Sequence, residues 1–365
     1  MDLWRGRPYH SAMSKPDILA RPRKTLIALA MFCALAGCSK STKPQSTETP
    51  PPPAANSQAN ANNTKPAADT GSQATTEASD RAVKAAMNNV LFHMTDRSAA
   101  LLENVSGELW PTGKNELIVF DDKTAFELHV TDGTVSITPQ SLATLMNEYV
   151  FARDDAPLKD ITIEINRGKG QLIIKGKLHS KGDLPFETAG TLSVNPDGRL
   201  RVHTEKVKAL HVPVKKVMAL FGIDLANLVS TSKIAGMDTD KNDLLMDLGE
   251  LLPPPHIRGK VASVRLGNNA IITIFGDGGK RSEEKGNYMR FEGNRVRFGK
   301  LTMQKTDLTV LDLDPGDPLD WDQDHYAQQL EAGYSKVTET FGLRAYVKDF
   351  AKLPRTTGER SAANQ

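Results

Sequence analysis

The chain of 365 residues carries 46 Lys and Arg against 44 Asp and Glu, yet residues 1–37 alone hold six of the basic and two of the acidic groups, leaving 40 against 42 and a net charge of −2 beyond them. That balance lacks the basic excess that a nucleic-acid partner requires, so neither DNA nor RNA is expected. Both cysteines, Cys33 and Cys38, precede residue 39, which excludes disulfides, cysteine metal sites and cysteine nucleophiles from everything that follows.

Arg21, Arg23 and Lys24 form a cationic flank, and Thr25 to Leu35 supply an apolar run too short for a membrane span. The run closes on Leu35-Ala36-Gly37-Cys38, which resembles the lipobox of bacterial lipoproteins. The resemblance implies that residues 1–37 are a signal peptide, that translation from Met1 or Met13 gives the same mature product, and that Cys38 becomes its lipidated first residue. The expected location is the cell envelope, with the chain held at a membrane through Cys38 and its domain outside the cytoplasmic membrane. Residues 38–80 follow as a Ser, Thr, Pro, Gln, Asn and Ala segment with almost no aliphatic side chains. Such a composition cannot bury enough apolar surface to offset its ordering entropy, so it reads as a disordered tether.

From Arg81 the pattern turns to short apolar alternations separated by Gly, Asp, Asn and Pro. Phe126, Leu128 and Val130 alternate up to Asp132-Gly133, after which Val135 and Ile137 return, predicting a hairpin. Further strands are predicted at Ile161 to Ile165, Leu172 to Ile174, Phe186 to Val194 and, past the Asn195 to Gly198 turn, Leu200 to Val202, together an antiparallel meander. Later ones fall at Leu244 to Leu248, Val261 to Leu266, Ile271 to Phe275 and Val296 to Met303.

Two amphipathic helices are predicted within this array. Thr138 is the expected N-cap and Pro139 the first residue of one, which presents Leu142, Leu145, Met146, Tyr149 and Val150 at helical spacing. The other spans about Pro213 to Val229 with Val217, Leu220, Phe221, Leu225 and Leu228 on one face. A third, more polar helix is expected over Asp324 to Thr340, before a last strand near Leu343 to Val347.

The fold class is therefore α+β: a β-rich, curved antiparallel sheet packed on two amphipathic helices, with additional N- and C-terminal strands and a C-terminal helix. Thr138-Pro139-Gln140-Ser141-Leu142 with Met146-Asn147-Glu148-Tyr149 resembles the opening helix of YpmS-like envelope proteins. Gly176 to Leu178, Leu184-Pro185-Phe186, Gly190-Thr191-Leu192 and Leu210 to Val214 resemble the strand and second-helix region that those proteins share with the LmeA-like phospholipid-binding family. The order of elements is similar to one half of the TULIP lipid-binding architecture, over a core of about residues 135–275 within a β-rich domain of 81–275. Residues 276–365 add strands, a helix and a tail to the same domain. The resemblance implies a cavity for acyl chains without catalytic residues, and the side chains expected to line it are Leu142, Met146, Tyr149, Met218, Phe221 and Leu225. The same faces also suit a plain hydrophobic core.

Asp312, Asp314, Asp317, Asp320, Asp322 and Asp324 concentrate carboxylates, and Asp320, Asp322, Asp324 and Glu331 take the first, third, fifth and twelfth places of an EF-hand-like calcium loop. His325 stands where that loop needs glycine, so turns and a helix cap compete with a metal. Lys280, Arg281, Lys285 and Arg290 form a basic stretch that could meet anionic headgroups, but Glu283 and Glu284 dilute it and favour a solvated loop between two strands. No HExxH, GxSxG, P-loop or dinucleotide fingerprint is present, and no cofactor is expected. The reading is a non-enzymatic envelope lipoprotein that binds phospholipid or another apolar ligand. The alternatives are an envelope protein-interaction module and a carboxylate- or metal-dependent hydrolase at the acidic cluster.

Overall fold

A computed structural model describes residues 81–113, 117–179, 182–205, 207–209, 231, 233–279 and 286–354. Cys38 and the helix predicted over Pro213 to Val229 lie outside them.

Three long strands form the spine of the larger sheet. β1 (Val83–Thr95) and β2 (Ser98–Pro111) pair antiparallel. After the short β3 (Leu117–Val119), β4 (Phe126–Ile137) pairs with the far side of β2. Each strand begins with strict inward alternation and then slips phase. Val83, Ala85 and Met87 are buried on β1 and the next is Val90; on β2 the series runs Leu102, Val105, Leu109; on β4, Val130 is followed by Gly133. The slips fall in the middle of the three strands. Asn89 has φ +52°, β2 is irregular between Leu102 and Asn104, and further along β4 inserts a residue opposite the Ser106/Gly107 step. Bulges bend strands and increase their twist, so these irregularities curve the sheet.

The hairpin predicted at Asp132-Gly133 is consequently absent. Gly133 (φ +151°) lies inside one continuous β4, where a Cβ would stand 2.7 Å from the Asn104 carbonyl oxygen. Glycine there serves a bulge rather than a turn. Gly107 is tighter still, since a Cβ would come within 2.1 Å of the His129 carbonyl oxygen on the neighbouring strand. Gly107→Ala is expected to destabilise the fold by about 3 kcal/mol through forced separation of β2 and β4. At an unstrained site the same change stabilises by about 0.4–1 kcal/mol. Chemical denaturation reads the sign directly.

The second sheet is the expected meander. β5 (Leu158–Asn166), β6 (Gln171–Leu178), β7 (Leu184–Val194) and β8 (Leu200–Thr204) run antiparallel in sequence, with β9 (Lys208–Ala209) added to β7. β10 (Met237–Asp240) and β11 (Asp243–Met246) extend it beyond β8. The strand predicted to reach Leu248 stops at Met246, because Asp247 caps a helical turn, accepting from the Gly249 N–H at 2.9 Å.

α1 (Pro139–Leu145) joins the two sheets, packing on β2 and β5. Thr138 is its N-cap as predicted, accepting from the Ser141 N–H at 3.0 Å. A π-helical turn (Met146–Val150) continues it, and within that turn Asn147 clamps β5 by donating to the Ile161 carbonyl and accepting from the Ile161 N–H, each at 2.8 Å.

Most of the remaining strands complete the larger sheet, whereas the hairpin at residues 295–303 forms a separate three-stranded sheet with β3. α2 (Leu248–Leu251) leads to β12 (His256–Arg258), parallel to the first half of β4, while β13 (Val261–Leu266) and β14 (Ile271–Phe275) continue from its second half. On the opposite flank β15 (Tyr288–Gly293) pairs with β1. The strand predicted over Val296 to Met303 is a hairpin, β16 (Arg295–Phe298) and β17 (Leu301–Met303), turned at Gly299 (φ +58°). β18 (Thr306–Asp312) follows β15, and β19 (Leu319–Asp322) pairs in parallel with the second half of β1.

The predicted helix from Asp324 to Thr340 is reduced to α3 (Tyr326–Glu331). Its continuation becomes β20 (Tyr334–Val337), which pairs with the predicted β21 (Leu343–Val347). The reason is visible in the ladder: Tyr334 stacks on Tyr346 at 4.6 Å and Lys336 lies over both rings. The fold is thus β-rich with curved antiparallel sheets and, among the described residues, short helices.

Candidate functional site

The inward faces of both sheets do not close on each other. They leave a cavity of about 200 Å³ whose walls come from β1, β2, β4 and β14 on one side and β5, β6, β7, β8 and β11 on the other. α1, α2, the Leu252 to Pro255 segment and residues of β10, β12 and β15 also contribute to the lining. Strand alternation explains the character of these walls, since residues two apart face the same side: Ile161 and Ile163 on β5, Leu172 and Ile174 on β6, Leu200 and Val202 on β8 all turn inward. Ile163, Ile174, Leu192, Leu244 and Met246 are only half-buried. Residues of this type in a filled core would be covered.

Among the described lining residues only Thr273 and Gln323 are polar. Gln323 is already engaged, donating to the Phe120 carbonyl at 2.7 Å and accepting from Trp321 Nε1 at 3.2 Å. An aromatic cluster backs this end: the Phe120 ring lies 5.1 Å from Phe291, 5.2 Å from Phe298 and 5.6 Å from Phe126, and Trp321 and Tyr326 are 5.9 Å apart. Burial and the hydrogen bond to Asp121 push the Tyr326 hydroxyl up to about 12, so it stays neutral at physiological pH.

Two of the predicted lining residues, Leu142 and Met146, face the cavity. Tyr149 does not; it is 42 % exposed. The π-helical turn accounts for the difference. Its wider bond, from the Phe151 N–H to the Met146 carbonyl at 2.7 Å, shifts the helical phase and delivers Phe151 to the cavity instead. Met218, Phe221 and Leu225 lie outside the described residues. The contribution of β1 and β2 went unrecognised in the sequence, although the alternation of Val83, Ala85 and Met87 carries its signal.

Near the Pro253 to Pro255 side, Arg258 ties three elements together. It donates to both carboxylate oxygens of Glu127, at 3.0 and 3.2 Å, and to Glu250 at 2.5 Å. The guanidinium holds the Glu127 carboxyl below the usual range. β12 and α2 are thereby fastened to β4.

The acidic segment assembles differently from the predicted calcium set. Asp320 and Asp322 are buried on β19, Asp324 pairs with Lys123 at 2.7 Å, and Glu331 is exposed on α3. Among the described residues, the acidic and histidine groups that converge closely enough to share a cation are Asp96, Asp322 and His325, and Asp314, Asp317 and Asp349. Lys352 lies among the second trio, 2.6, 3.3 and 2.9 Å from its carboxylates, and holds the Asp314 carboxyl low. An ammonium thus takes the position of a cation. Asp322 accepts from the backbone N–H groups of Asp324 and His325, at 2.8 and 3.0 Å, as a turn residue does. Of the predicted basic stretch, Arg290 pairs with Glu292, and Lys280, Arg281 and Lys285 lie outside the described residues.

His93 reaches into this region from β1, with Nε2 2.7 Å from Asp320 Oδ1. Burial presses its pKa downward, but the Asp320 bond and the Asp320 and Asp322 charges prevail and hold it above the ordinary value. Asp320 is shifted the opposite way: burial raises it, and the His93 and Ala351 contacts bring it below the ordinary value. A raised histidine contributes in full below about pH 6.5 and loses its contribution as pH climbs through the folded pKa. A depressed carboxylate contributes above about pH 4 and loses it on acidification. Wild-type melting temperature is therefore expected to fall between pH 6 and pH 9, and His93→Gln to flatten that slope. Equal slopes in the two proteins would remove this pair from the stability of the fold.

No protein-family model, curated protein or solved structure matches the chain. Fold and cavity together describe a β-rich protein with an enclosed apolar space.

Proposed function

We propose that this chain is a lipid-anchored cell-envelope protein that holds one apolar chain, such as an acyl tail of a phospholipid, in the cavity between its sheets, without chemistry. The observation that carries the reading is the wall of that cavity, whose described residues are apolar except for Thr273 and an internally bonded Gln323. Its volume of about 200 Å³ exceeds the roughly 150 Å³ that accepts benzene in a dry engineered cavity. It falls below the roughly 300–1,000 Å³ of sites that engulf whole ligands. A part of one acyl chain therefore fits inside, with its headgroup at the surface. Transfer of each methylene from water contributes about 0.8 kcal/mol, so a few suffice for useful affinity.

The half-TULIP likeness read from the residues would suit such a role. Lipidation at Cys38, followed by about 42 tether residues with a reach on the order of 35 Å, would keep the domain close to a membrane yet free of its surface. Titration with a fluorescent fatty acid tests the reading. Saturable uptake at one per chain, displaced by phospholipid, is expected.

A second reading, a protein-interaction module of the envelope, has its own support in the outermost strand β20. Val337 is 69 % exposed there, and Phe341 at the adjoining turn is 92 % exposed. Exposed edges of this kind accept a partner strand. Failure of the folded protein to take up the probe would favour this alternative.

A further inference from the structure

We infer that the cleft between the β5–β6 turn and the β13–β14 turn binds the phosphate of an anionic lipid whose chain occupies the apolar cavity. The inference rests on the proposed function and specifies its ligand class.

The cleft measures about 500 Å³, and its lining among the described residues includes Arg167, Arg265, Gly170 and Asn268 but no acidic residue. Arg167 and Arg265 are both exposed, and neither forms an ion pair among the described residues. That separates them from Arg153, Arg199, Arg201, Arg258 and Arg344, each of which sits on a carboxylate. Arg167 is oriented nonetheless: its Nε donates to the Asn268 carbonyl at 2.9 Å, spanning the two turns and leaving its terminal nitrogens for another acceptor. A planar guanidinium fixed in this way matches a phosphate's paired oxygens. Lys169, exposed in the same turn, adds charge.

Position links this cleft to the cavity. Ile165 in the cleft is the cross-strand partner of Leu172 in the cavity wall. Leu266 in the cleft likewise faces Ile271 in the cavity wall. In each sheet a cleft residue is thus the direct neighbour of a residue of the cavity wall. A free anion would use only the arginines, whereas an amphiphile with a phosphate at one end and a chain at the other would use the shared border as well.

The test uses the whole chain with four probes: an uncharged fluorescent fatty alcohol, short-chain phosphatidylglycerol, diacylglycerol with the same chains, and inorganic phosphate. Wild type is expected to bind phosphatidylglycerol about tenfold more tightly than diacylglycerol, the scale of one charge-assisted contact, with the preference shrinking as salt rises. In the R167Q/R265Q double variant the preference should vanish while fatty-alcohol affinity stays unchanged. R167K/R265K should recover part of it, because charge returns without the fork. An unaltered preference in the double variant would overturn the inference and leave the cavity reading intact. Inorganic phosphate binding as tightly as phosphatidylglycerol would overturn a lipid as its source. Failure of the fatty alcohol to bind wild type would overturn the cavity reading and this inference with it.

Discussion

Trp321→Ala is expected to cost about 3–5 kcal/mol, the range for truncating a fully buried aromatic residue. Trp321 is completely buried on β19, which pairs with the second half of β1 beyond the Asn89 irregularity. Its ring stands beside Tyr326, itself 5.0 Å from Phe298, and its Nε1 bonds Gln323. Truncation removes the ring and releases Gln323, which helps seal one end of the cavity through Phe120. For a domain of this size a loss of that order lowers the melting temperature by roughly 2–4 °C per kcal/mol. Calorimetry of the variant should also show weaker retention of apolar ligand. A change below about 1 kcal/mol would mean that β19 is not an anchoring strand.

Ile174→Trp has the largest expected effect on binding. Ile174 faces Ile163 across the β5–β6 ladder, and both are half-buried in the cavity wall. An indole at this position extends into the space that a ligand would use. Affinity for an apolar probe is expected to fall by at least about tenfold, equivalent to about 1.4 kcal/mol, with the melting temperature unchanged or raised. The stability readout separates cavity from core: adding the same bulk to a close-packed interior typically costs about 1–3 kcal/mol. Retained binding together with destabilisation would show that the two sheets pack solidly.

What could be read from the residues alone divides along physical lines. The meander from Ile161 to Val202 was legible because its alternation and its Asn195 to Gly198 turn are both local signals. Thr138 and Pro139 announced α1 for the same reason. The hairpin at Asp132-Gly133 was misread because Asp-Gly serves turns and bulges alike, and the choice is made by Asn104 on another strand. Tyr149 was misplaced because helical spacing assumes an α-helix throughout, whereas the Met146 to Val150 turn is wider. Residues Tyr334 to Val337 left the predicted helix through their pairing with Tyr346 and its neighbours. The cavity itself is a relation between two sheets. Its individual walls were partly legible, but the space between them arises from a bend shared by β1, β2 and β4. The cleft at Arg167 and Arg265 unites turns far apart in sequence and had no local signature.

Mass spectrometry of an organic-solvent extract from the purified chain shows whether the cavity holds a ligand, because any acyl group covalently attached at Cys38 stays with the polypeptide. About one phospholipid or other apolar molecule per chain is expected, depleted in Ile174→Trp. A folded protein that yields nothing, and that takes up no added lipid, would overturn a ligand-holding cavity.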